Sequence, residues 1–330
     1  MSAFRPDSHE LDVTLTREPG RRSARTLQRH AASGAILRVR AGAFVDPAAW
    51  HRGSSLEQHR ARIRAVVATR AGRAVLTHES AAAVWGIPKL GPWPAQVHLA
   101  DVMGTRPRSR NGVVWHQSCI AESEIVEVDG YLVTDLTRTL VDLARTTGFL
   151  SAVVSLDHGV HPRVMLPSGA YRPGTDHTTL LQRLDDLQSS RGAAKARRAI
   201  SFADPGGDSP GESLSRGQMH LLGFPPPRLQ VRLARPDGGA DIVDFDWPEH
   251  GLFGEFDGHG KYVRDQYTRG RTTADMVIAE KEREDRIRLR HRPMGVRWGW
   301  KVALDGGRLA ARLTAAGLPR SMPHPERRTP

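Results

Sequence analysis

Cysteine is almost absent from this chain of 330 residues, which contains only Cys119. A single cysteine excludes an intramolecular disulfide and a zinc site built from several thiolates. Long apolar runs are also missing, since none approaches the ~20 residues that a helix needs to cross a bilayer. Residues 1–22 are too polar for a signal peptide. We therefore expect a cytoplasmic protein that does not contact a membrane.

Acidic residues are in the minority. The chain has 36 acidic and 48 basic residues, a formal net charge of +12 and a pI of about 10.8. This excess of positive charge favours a polyanionic partner, with DNA as the leading candidate. The alternative is the arginine-rich composition of a GC-rich genome, which raises the charge without a functional reason. The length predicts at least two domains.

A short basic helix and a basic hairpin are predicted near the N-terminus. Residues 1–23 are polar and broken by proline and glycine, so we expect a disordered lead-in. Residues 24–55 contain the helical segment and then an alternating pattern, an order typical of the last part of a winged helix. The alternative is a small α+β cap with an ordinary basic surface. The candidate nucleic-acid-binding residues are Arg25, Arg29, Arg38 and Arg40.

Residues 56–160 alternate between helical and strand patterns and predict a small α/β domain. Two histidines of this region, His78 and His116, are possible metal ligands, but no third ligand follows at a recognisable spacing, which favours packed histidines. Residues 161–177 are rich in proline and glycine and predict a linker. Connecting helices are expected over 178–203.

An acidic hairpin is predicted within residues 241–262. Apolar residues interleave with acids in the first strand, 248–251 supply a turn, and a second strand follows. Asp244 and Glu255 face the same side of the sheet if the strand register aligns them. Oxygen ligands of this kind suit Mg²⁺ or Mn²⁺. The alternative is that these acids form the solvated face of the hairpin.

The hairpin belongs to a predicted domain at 204–318, followed by a disordered tail at 319–330. Ser209 to Glu212 reads S-P-G-E, a pattern typical of a helix start. The predicted order is this helix, three strands, a helix over 266–291, a strand over 295–300 and a helix over 306–317. The basic end of the predicted helix over 266–291 is either a salt-bridged surface or a contact with the DNA backbone. The contacting residues would be Arg288 and Arg290 of this helix and Arg297 of the next strand.

The first half of the chain resembles the AbiEi-like antitoxins of type IV toxin-antitoxin systems. The resemblance covers about residues 20–160 and rests on H-E-S-A-A-A-V-W-G-I-P, V-H-L, G-V-V-W-H and V-T-D-L-T-R-T-L-V-D-L-A-R. It implies a winged helix that binds DNA for autorepression, here partial because the lead-in is short, and then an α/β domain. It also implies a cognate toxin protein as a partner.

The second half, about 205–318, resembles the very-short-patch-repair-like branch of the PD-(D/E)XK nucleases. The resemblance implies a restriction-endonuclease-like mixed sheet flanked by helices, with a Mg²⁺ or Mn²⁺ cofactor. Asp257 stands in the position of the usual lysine, which Lys261 replaces. Lys261 or His259 would assist proton transfer or phosphate neutralisation. The implied metal ligands are Glu212 on the first helix, Asp244, and Glu255 as the first acid of the E-x-K element.

These patterns together predict an α+β protein with a function on DNA. We expect a DNA-binding protein whose C-terminal domain is a metal-dependent endonuclease, acting in phage defence or DNA repair. The alternative is a non-catalytic transcriptional regulator of the type IV antitoxin kind. Its nuclease-like domain would bind only DNA or a partner protein.

Overall fold

Helices and several small sheets alternate along the chain, so the predicted α+β class is confirmed. The computed structural model describes residues 11–16, 24–105, 108–117, 120–187, 191–258 and 273–320, and in the last range it describes the side chains from residue 278 onward. No helix of these ranges is both long and apolar enough to span a bilayer. The described residues divide into an N-terminal unit, 11–148 with 159–203, and a C-terminal unit, 149–158 with 204–320.

The first elements of the N-terminal unit are grouped around a small antiparallel sheet of order β1-β3-β2. Helix α3 begins with a capping box between Ser54 and Glu57, which satisfies backbone donors at the helix start. The elements are β1 (Thr14–Leu15), α1 (Ala24–Ala32), β2 (Leu37–Arg40), β3 (Ala43–Val45), α2 (Pro47–Arg52) and α3 (Ser55–Thr69).

Residues 11–16 take part in this sheet, although the sequence predicts no structure before residue 24. Leu11 and Val13 are buried in a core with Ala43 and Val45 from β3, and β1 pairs with β3. Leu11, Val13 and Leu15 alternate with polar residues, the pattern of a half-buried strand. The polar composition of the segment as a whole masks this alternation. The remainder of 1–23 lies outside the described residues.

The rest of the N-terminal unit surrounds a second small sheet. Leu76 forms bridges to both Leu99 and Val133 and so links the parallel pair β4–β5 to the antiparallel pair β6–β7. The elements are α4 (His78–Trp85), β4 (Val97–Ala100), β5 (Val113–His116), β6 (Ile125–Val128), β7 (Tyr131–Thr134), α5 (Leu136–Thr146), β8 (Arg163–Met165), β9 (Tyr171–Pro173), α7 (His177–Asp186) and α8 (Ala193–Phe202). Helix α6 (Phe149–Val160) begins in the C-terminal unit.

The segment 161–177, which the sequence predicts as a linker, forms a hairpin and the start of a helix. Strands β8 and β9 pair antiparallel, with Val164 opposite Arg172, and Val164 is fully buried. The whole segment belongs to the N-terminal unit. Its proline and glycine residues serve the hairpin turn and the strand ends, a use of these residues that composition does not distinguish from a linker.

The C-terminal unit contains a four-stranded mixed sheet of order β10-β11-β12-β13 flanked by helices. Strand β11 pairs antiparallel with both β10 and β12, whereas β12 pairs parallel with β13. A parallel neighbour requires a crossover, which contains α10. The elements are α9 (Pro210–Leu222), β10 (Arg228–Ala234), β11 (Ala240–Trp247), β12 (Leu252–Asp257), α10 (Thr273–Arg290), β13 (Met294–Gly299), α11 (Trp300–Ala303) and α12 (Gly306–Ala315). This order matches the predicted one.

Helices α9 and α10 both pack against the sheet. Ile287 of α10 lies in a core cluster with Val243 and Phe253. On α9, a Cβ atom at Gly211 would lie only 2.0 Å from the ring of Phe256, so the absence of a side chain lets the aromatic ring approach the helix. The Nε1 of Trp298 donates a hydrogen bond to Ser215 Oγ of the same helix at 2.8 Å.

Candidate functional site

Two carboxylates meet across the predicted acidic hairpin of β11 and β12. The register places Phe245 opposite Gly254, so the next residues along the hairpin are Asp244 and Glu255. The Oδ2 of Asp244 accepts a hydrogen bond from the Phe256 backbone N–H at 2.8 Å, which ties Asp244 to the strand that carries Glu255. The predicted juxtaposition of the two acids is therefore present.

Glu255 is only 8% exposed and is neutralised by two arginines. Its Oε1 lies 2.5 Å from Arg283 Nη2 of α10, and its Oε2 lies 3.0 Å from Arg297 Nη2 of β13. Burial raises the pKa of Glu255, and the charge of Asp244 adds to this effect, while the two arginines oppose it. The site thus holds a carboxylate whose ionised form depends on nearby positive charge.

Glu280 of α10 closes a ring of alternating charges with these three residues. Its Oε1 lies 2.9 Å from Arg283 Nη1 and also pairs with Arg297 Nη2. The guanidinium of Arg283 is held charged by these partners, because hydrogen bonding to Glu255 and the charges of both glutamates raise its pKa against the effect of burial. We call Glu255, Arg283, Glu280 and Arg297 the ion-pair ring.

Glu212 lies on α9 with partners of its own. Its Oε1 accepts a hydrogen bond from Ser209 Oγ at 2.7 Å, and its Oε2 accepts one from Gln230 Nε2 at 2.8 Å. Ser209 caps the helix as the sequence predicts, since its Oγ accepts the Glu212 backbone N–H. Gln230 was not a candidate from the sequence, because its role depends on a contact between β10 and α9.

The donor set fits a metal held by two carboxylates. In the described ranges no group of three or more His, Cys, Asp or Glu side chains is placed to hold an ion, so the arrangement of Glu212 with Asp244 and Glu255 as three joint ligands is not present there. Mg²⁺ is typically held by one or two carboxylates with waters and substrate oxygens. The pair of Asp244 and Glu255 meets that requirement.

The other predicted catalytic residues follow Glu255 in the chain. Asp257 ends β12 and is half-buried, and its charge contributes to the raised pKa of Arg297. His259 and Lys261 lie outside the described residues. Arg283 is a further residue near the acids that the sequence did not identify. Its local signal is the spacing of three from Glu280, which predicts an ion pair on a helix.

The predicted nucleic-acid-binding arginines fall into exposed and engaged groups. Arg40 donates from Nε to Thr69 Oγ1 at 3.0 Å and from Nη1 to the Asn111 carbonyl at 2.7 Å, and Arg297 belongs to the ion-pair ring. These two guanidiniums already make contacts within their own units. The exposed candidates are Arg25, Arg29 and Arg38 in the N-terminal unit and Arg288 and Arg290 at the end of α10, of which Arg288 also pairs with Glu284 at 2.6 Å.

Three histidines of the N-terminal unit are stacked, although the sequence indicates only two. The rings of His78 and His116 lie 3.6 Å apart between centroids, and His98 Nδ1 lies 2.9 Å from His116 Nε2. Burial lowers the pKa of all three, and that of His116 falls to about 4. The sequence did not indicate His98, because it is the parallel pairing of β4 with β5 that brings His98 to His116. The preference for packed histidines agrees with this geometry.

No known protein-family model matches the chain. Two curated proteins of Mycobacterium tuberculosis are similar to it: uncharacterized protein MT2308 of strain CDC 1551 / Oshkosh and uncharacterized protein Rv2248 of strain ATCC 25618 / H37Rv. Each is 29% identical over 196 residues, which cover 59% of this chain and 67% of the relative. Their names state no activity.

Proposed function

We propose that the C-terminal unit is a Mg²⁺- or Mn²⁺-dependent phosphodiesterase domain that acts on DNA. The observation that carries the proposal is the pair of Asp244 and Glu255, which the β11–β12 hairpin brings together. Beside this pair lie the other members of the ion-pair ring, Arg283, Glu280 and Arg297. The order of α9, three antiparallel strands, α10 and a parallel fourth strand supports it. The net charge of +12 favours a polyanionic substrate.

The residues of this site suit the binding of a phosphate next to two carboxylates. A bound divalent ion would lower the pKa of a water and stabilise negative charge on the scissile phosphate. Asp244 and Glu255 would hold that ion, and Asp244 is already oriented by the Phe256 amide. Arg283 and Arg297 are placed to neutralise phosphate oxygens, since planar guanidiniums bind phosphate bidentately. Lys261 or His259 remains the proposed partner for proton transfer.

The ion-pair ring also favours a second function, that of a non-catalytic regulator. Both oxygens of Glu255 face arginines at 2.5 and 3.0 Å, an arrangement that satisfies the carboxylate without a metal ion. In a regulator of this kind the C-terminal unit keeps the nuclease-like scaffold and binds DNA or a partner protein, such as a toxin. Fold and activity separate readily in this way.

The experiment that distinguishes the two functions combines metal binding with cleavage. The full chain is titrated with Mn²⁺ by calorimetry and incubated with single- and double-stranded DNA in the presence of Mg²⁺ or Mn²⁺. We expect Asp244→Asn and Glu255→Gln to abolish both the heat of Mn²⁺ binding and the cleavage. The nuclease proposal fails if the parent protein gives neither signal.

Glu249→Gln is the matched control for Glu255→Gln. Glu249 lies on the turn of the same hairpin, its side chain is 71% exposed, and its pairing with Arg228 is 3.6 Å long and equally exposed. The control removes the same charge from the same hairpin, so it should retain Mn²⁺ binding and cleavage. Cleavage that survives in both Asp244→Asn and Glu255→Gln would assign the activity to another site.

A further inference from the structure

A strongly basic cavity of about 610 Å³ lies in the N-terminal unit. Four of its seven lining residues are arginines and none is acidic. Its volume lies within the range of about 300–1,000 Å³ that is usual for small-molecule sites. The lining residues are Arg40, Arg70, Arg108, Arg110, Asn111, Val113 and Trp115.

Three segments of the chain build this cavity. Arg40 ends β2, Arg70 follows the last residue of α3, and Asn111 lies in the turn before β5. That turn has positive φ at Asn111 (54°) and Gly112 (73°), and the Val113 N–H bonds to the Arg110 carbonyl at 3.1 Å. Asn-Gly is the preferred pair for such a tight turn. Because Arg40 donates to the Asn111 carbonyl and to Thr69, the strand, the helix and the turn are joined.

Within the described part of the chain, no carboxylate lines the cavity to match its positive charge. The guanidinium of Arg70 lies 4.8 Å from the centre of the Trp115 ring, and its buried Nε has no hydrogen-bond partner in the described part of the chain. Burial together with the charge of Arg70 lowers the pKa of Arg40. Like charges gathered in this way repel one another, and a bound anion would remove both the repulsion and the unsatisfied donor.

We propose that this cavity binds a ligand with two or three linked phosphates, such as a nucleoside diphosphate or triphosphate. Guanidiniums bind phosphate oxygens through paired hydrogen bonds, and four of them suit adjacent phosphates better than a single one. A DNA backbone is the less suitable source of phosphate, because its charges are spread along a strand at about 3.4 Å of helix axis per phosphate rather than gathered in a concave site. The four arginines place the recognition of such a ligand in its phosphates.

This inference is independent of the phosphodiesterase proposal. The cavity belongs to the N-terminal unit, whereas Asp244, Glu255 and the ion-pair ring belong to the C-terminal unit. A protein that fails to cleave DNA can still bind a polyphosphate here. Likewise, a protein that cleaves DNA can fail to bind a polyphosphate, so failure of one test does not imply failure of the other.

Calorimetric titration of the full chain with inorganic pyrophosphate, ATP and AMP tests the proposal. We expect saturable binding of one pyrophosphate or one ATP per chain, and at least tenfold weaker binding of AMP. Arg70→Gln and Arg110→Gln should each weaken pyrophosphate binding at least tenfold, equivalent to about 1.4 kcal/mol. Arg110 lies in an exposed turn, so its variant keeps the test valid if Arg70→Gln does not fold.

Arg52→Gln is the matched control because it removes the same charge from an exposed residue of α2 in the same unit. It should leave pyrophosphate affinity unchanged within about twofold, since an exposed charge outside the cavity is screened by salt. Three outcomes would overturn the proposal. One is the absence of saturable binding to the parent protein, and another is equal weakening by Arg52→Gln. The third is loss of DNA binding in Arg70→Gln and Arg110→Gln without any polyphosphate binding, which would assign the cavity to a DNA backbone.

Discussion

The two oxygens of Glu255 pair with different arginines, so each oxygen can exchange its arginine for another partner separately. If a divalent ion takes one oxygen of Glu255, the displaced arginine keeps a glutamate from α10. Arg283 retains Glu280 at 2.9 Å, and Arg297 retains Glu280 together with Glu284 at 3.7 Å. Metal binding would therefore not leave a buried guanidinium without a carboxylate partner, which would be strongly destabilising. Glu280 is the residue that makes the exchange possible.

The histidine stack makes the stability of the N-terminal unit depend on pH. Because His116 has a pKa of about 4 in the folded protein, against about 6.5 unperturbed, the unfolded chain takes up its proton first as the pH falls. The stabilising contribution is therefore complete above pH 6.5 and is lost between about 6.5 and 4. His116→Gln should lose about 1 kcal/mol less stability than the parent between pH 7.5 and 5, a value reduced for partial exposure.

Urea unfolding at a series of pH values measures this difference. His51→Gln is the matched control, since His51 is exposed on α2 in the same unit and its replacement should leave the pH profile unchanged. Parallel profiles for the parent and His116→Gln would show that His116 binds its proton equally well in the folded and unfolded chain, in contradiction to the expected linkage.

At the level of elements, the sequence specifies best what depends on neighbouring residues. Ser209 and Pro210 predict the start of α9, and the structure confirms both the cap and the helix. The acidic hairpin is also confirmed, because alternation and a turn signal are local. The partners of Glu212 and Glu255 were not predictable, since Gln230, Arg283 and Arg297 reach them from other strands and helices. Composition predicted a linker at 161–177 because it does not report which turn residues belong to a paired hairpin.

The close contact between α9 and β12 predicts that replacement of Gly211 destabilises the C-terminal unit. In Gly211→Ala the new Cβ would meet the ring of Phe256 at 2.0 Å, and that ring belongs to the strand that carries Glu255. We expect a loss of about 1–3 kcal/mol from such overpacking. Equilibrium unfolding in urea gives the value directly.

Gly217→Ala in the same helix is the control. Its Cβ would meet the flexible end of Leu150 at 2.9 Å, which can move aside. Both substitutions gain a similar helix propensity of up to about 1 kcal/mol, so their difference isolates the contact with Phe256. Equal stabilities of the two variants would mean that the ring yields without cost.

The exposed arginines of α1 and β2 predict a salt-dependent contribution to DNA binding. If Arg25 and Arg29 contact phosphates, the double variant Arg25→Gln/Arg29→Gln should bind all DNA sequences more weakly. The slope of log K against log salt should fall by about 1.8, because each lost contact removes about 0.9. Fluorescence anisotropy at several salt concentrations supplies the slope. Arg52→Gln, an exposed charge at the end of α2, should change it little, and an unaltered slope in the double variant would move the DNA contacts away from α1.

For the whole molecule, the two units are not successive segments of the chain. Residues 149–158 belong to the C-terminal unit, whereas 159–203 return to the N-terminal unit. The sequence predicted a boundary near 161–177 because local composition cannot reveal that a helix from the middle of the chain packs with residues that follow much later. Within the C-terminal unit, an ion pair joins Asp157 of α6 to Arg216 of α9, whose Nη2 lies 2.8 and 2.9 Å from the two carboxylate oxygens.

This ion pair predicts a loss of stability that is confined to the C-terminal unit. Asp157 is fully buried and also accepts the Asp204 backbone N–H at 2.9 Å. Asp157→Ala removes the carboxylate that faces the buried Arg216 and should cost about 3–5 kcal/mol. Limited proteolysis of the full chain is the measurement, with cleavage sites identified by mass spectrometry. Cleavage within 204–320 should accelerate while cleavage within 24–148 stays as in the parent.

The matched control is Asp185→Ala, because the ion pair of Asp185 with Arg197 is about half exposed and such pairs contribute at most about 1 kcal/mol. Equal acceleration in both halves of the chain for Asp157→Ala would contradict the assignment of α6 to the C-terminal unit.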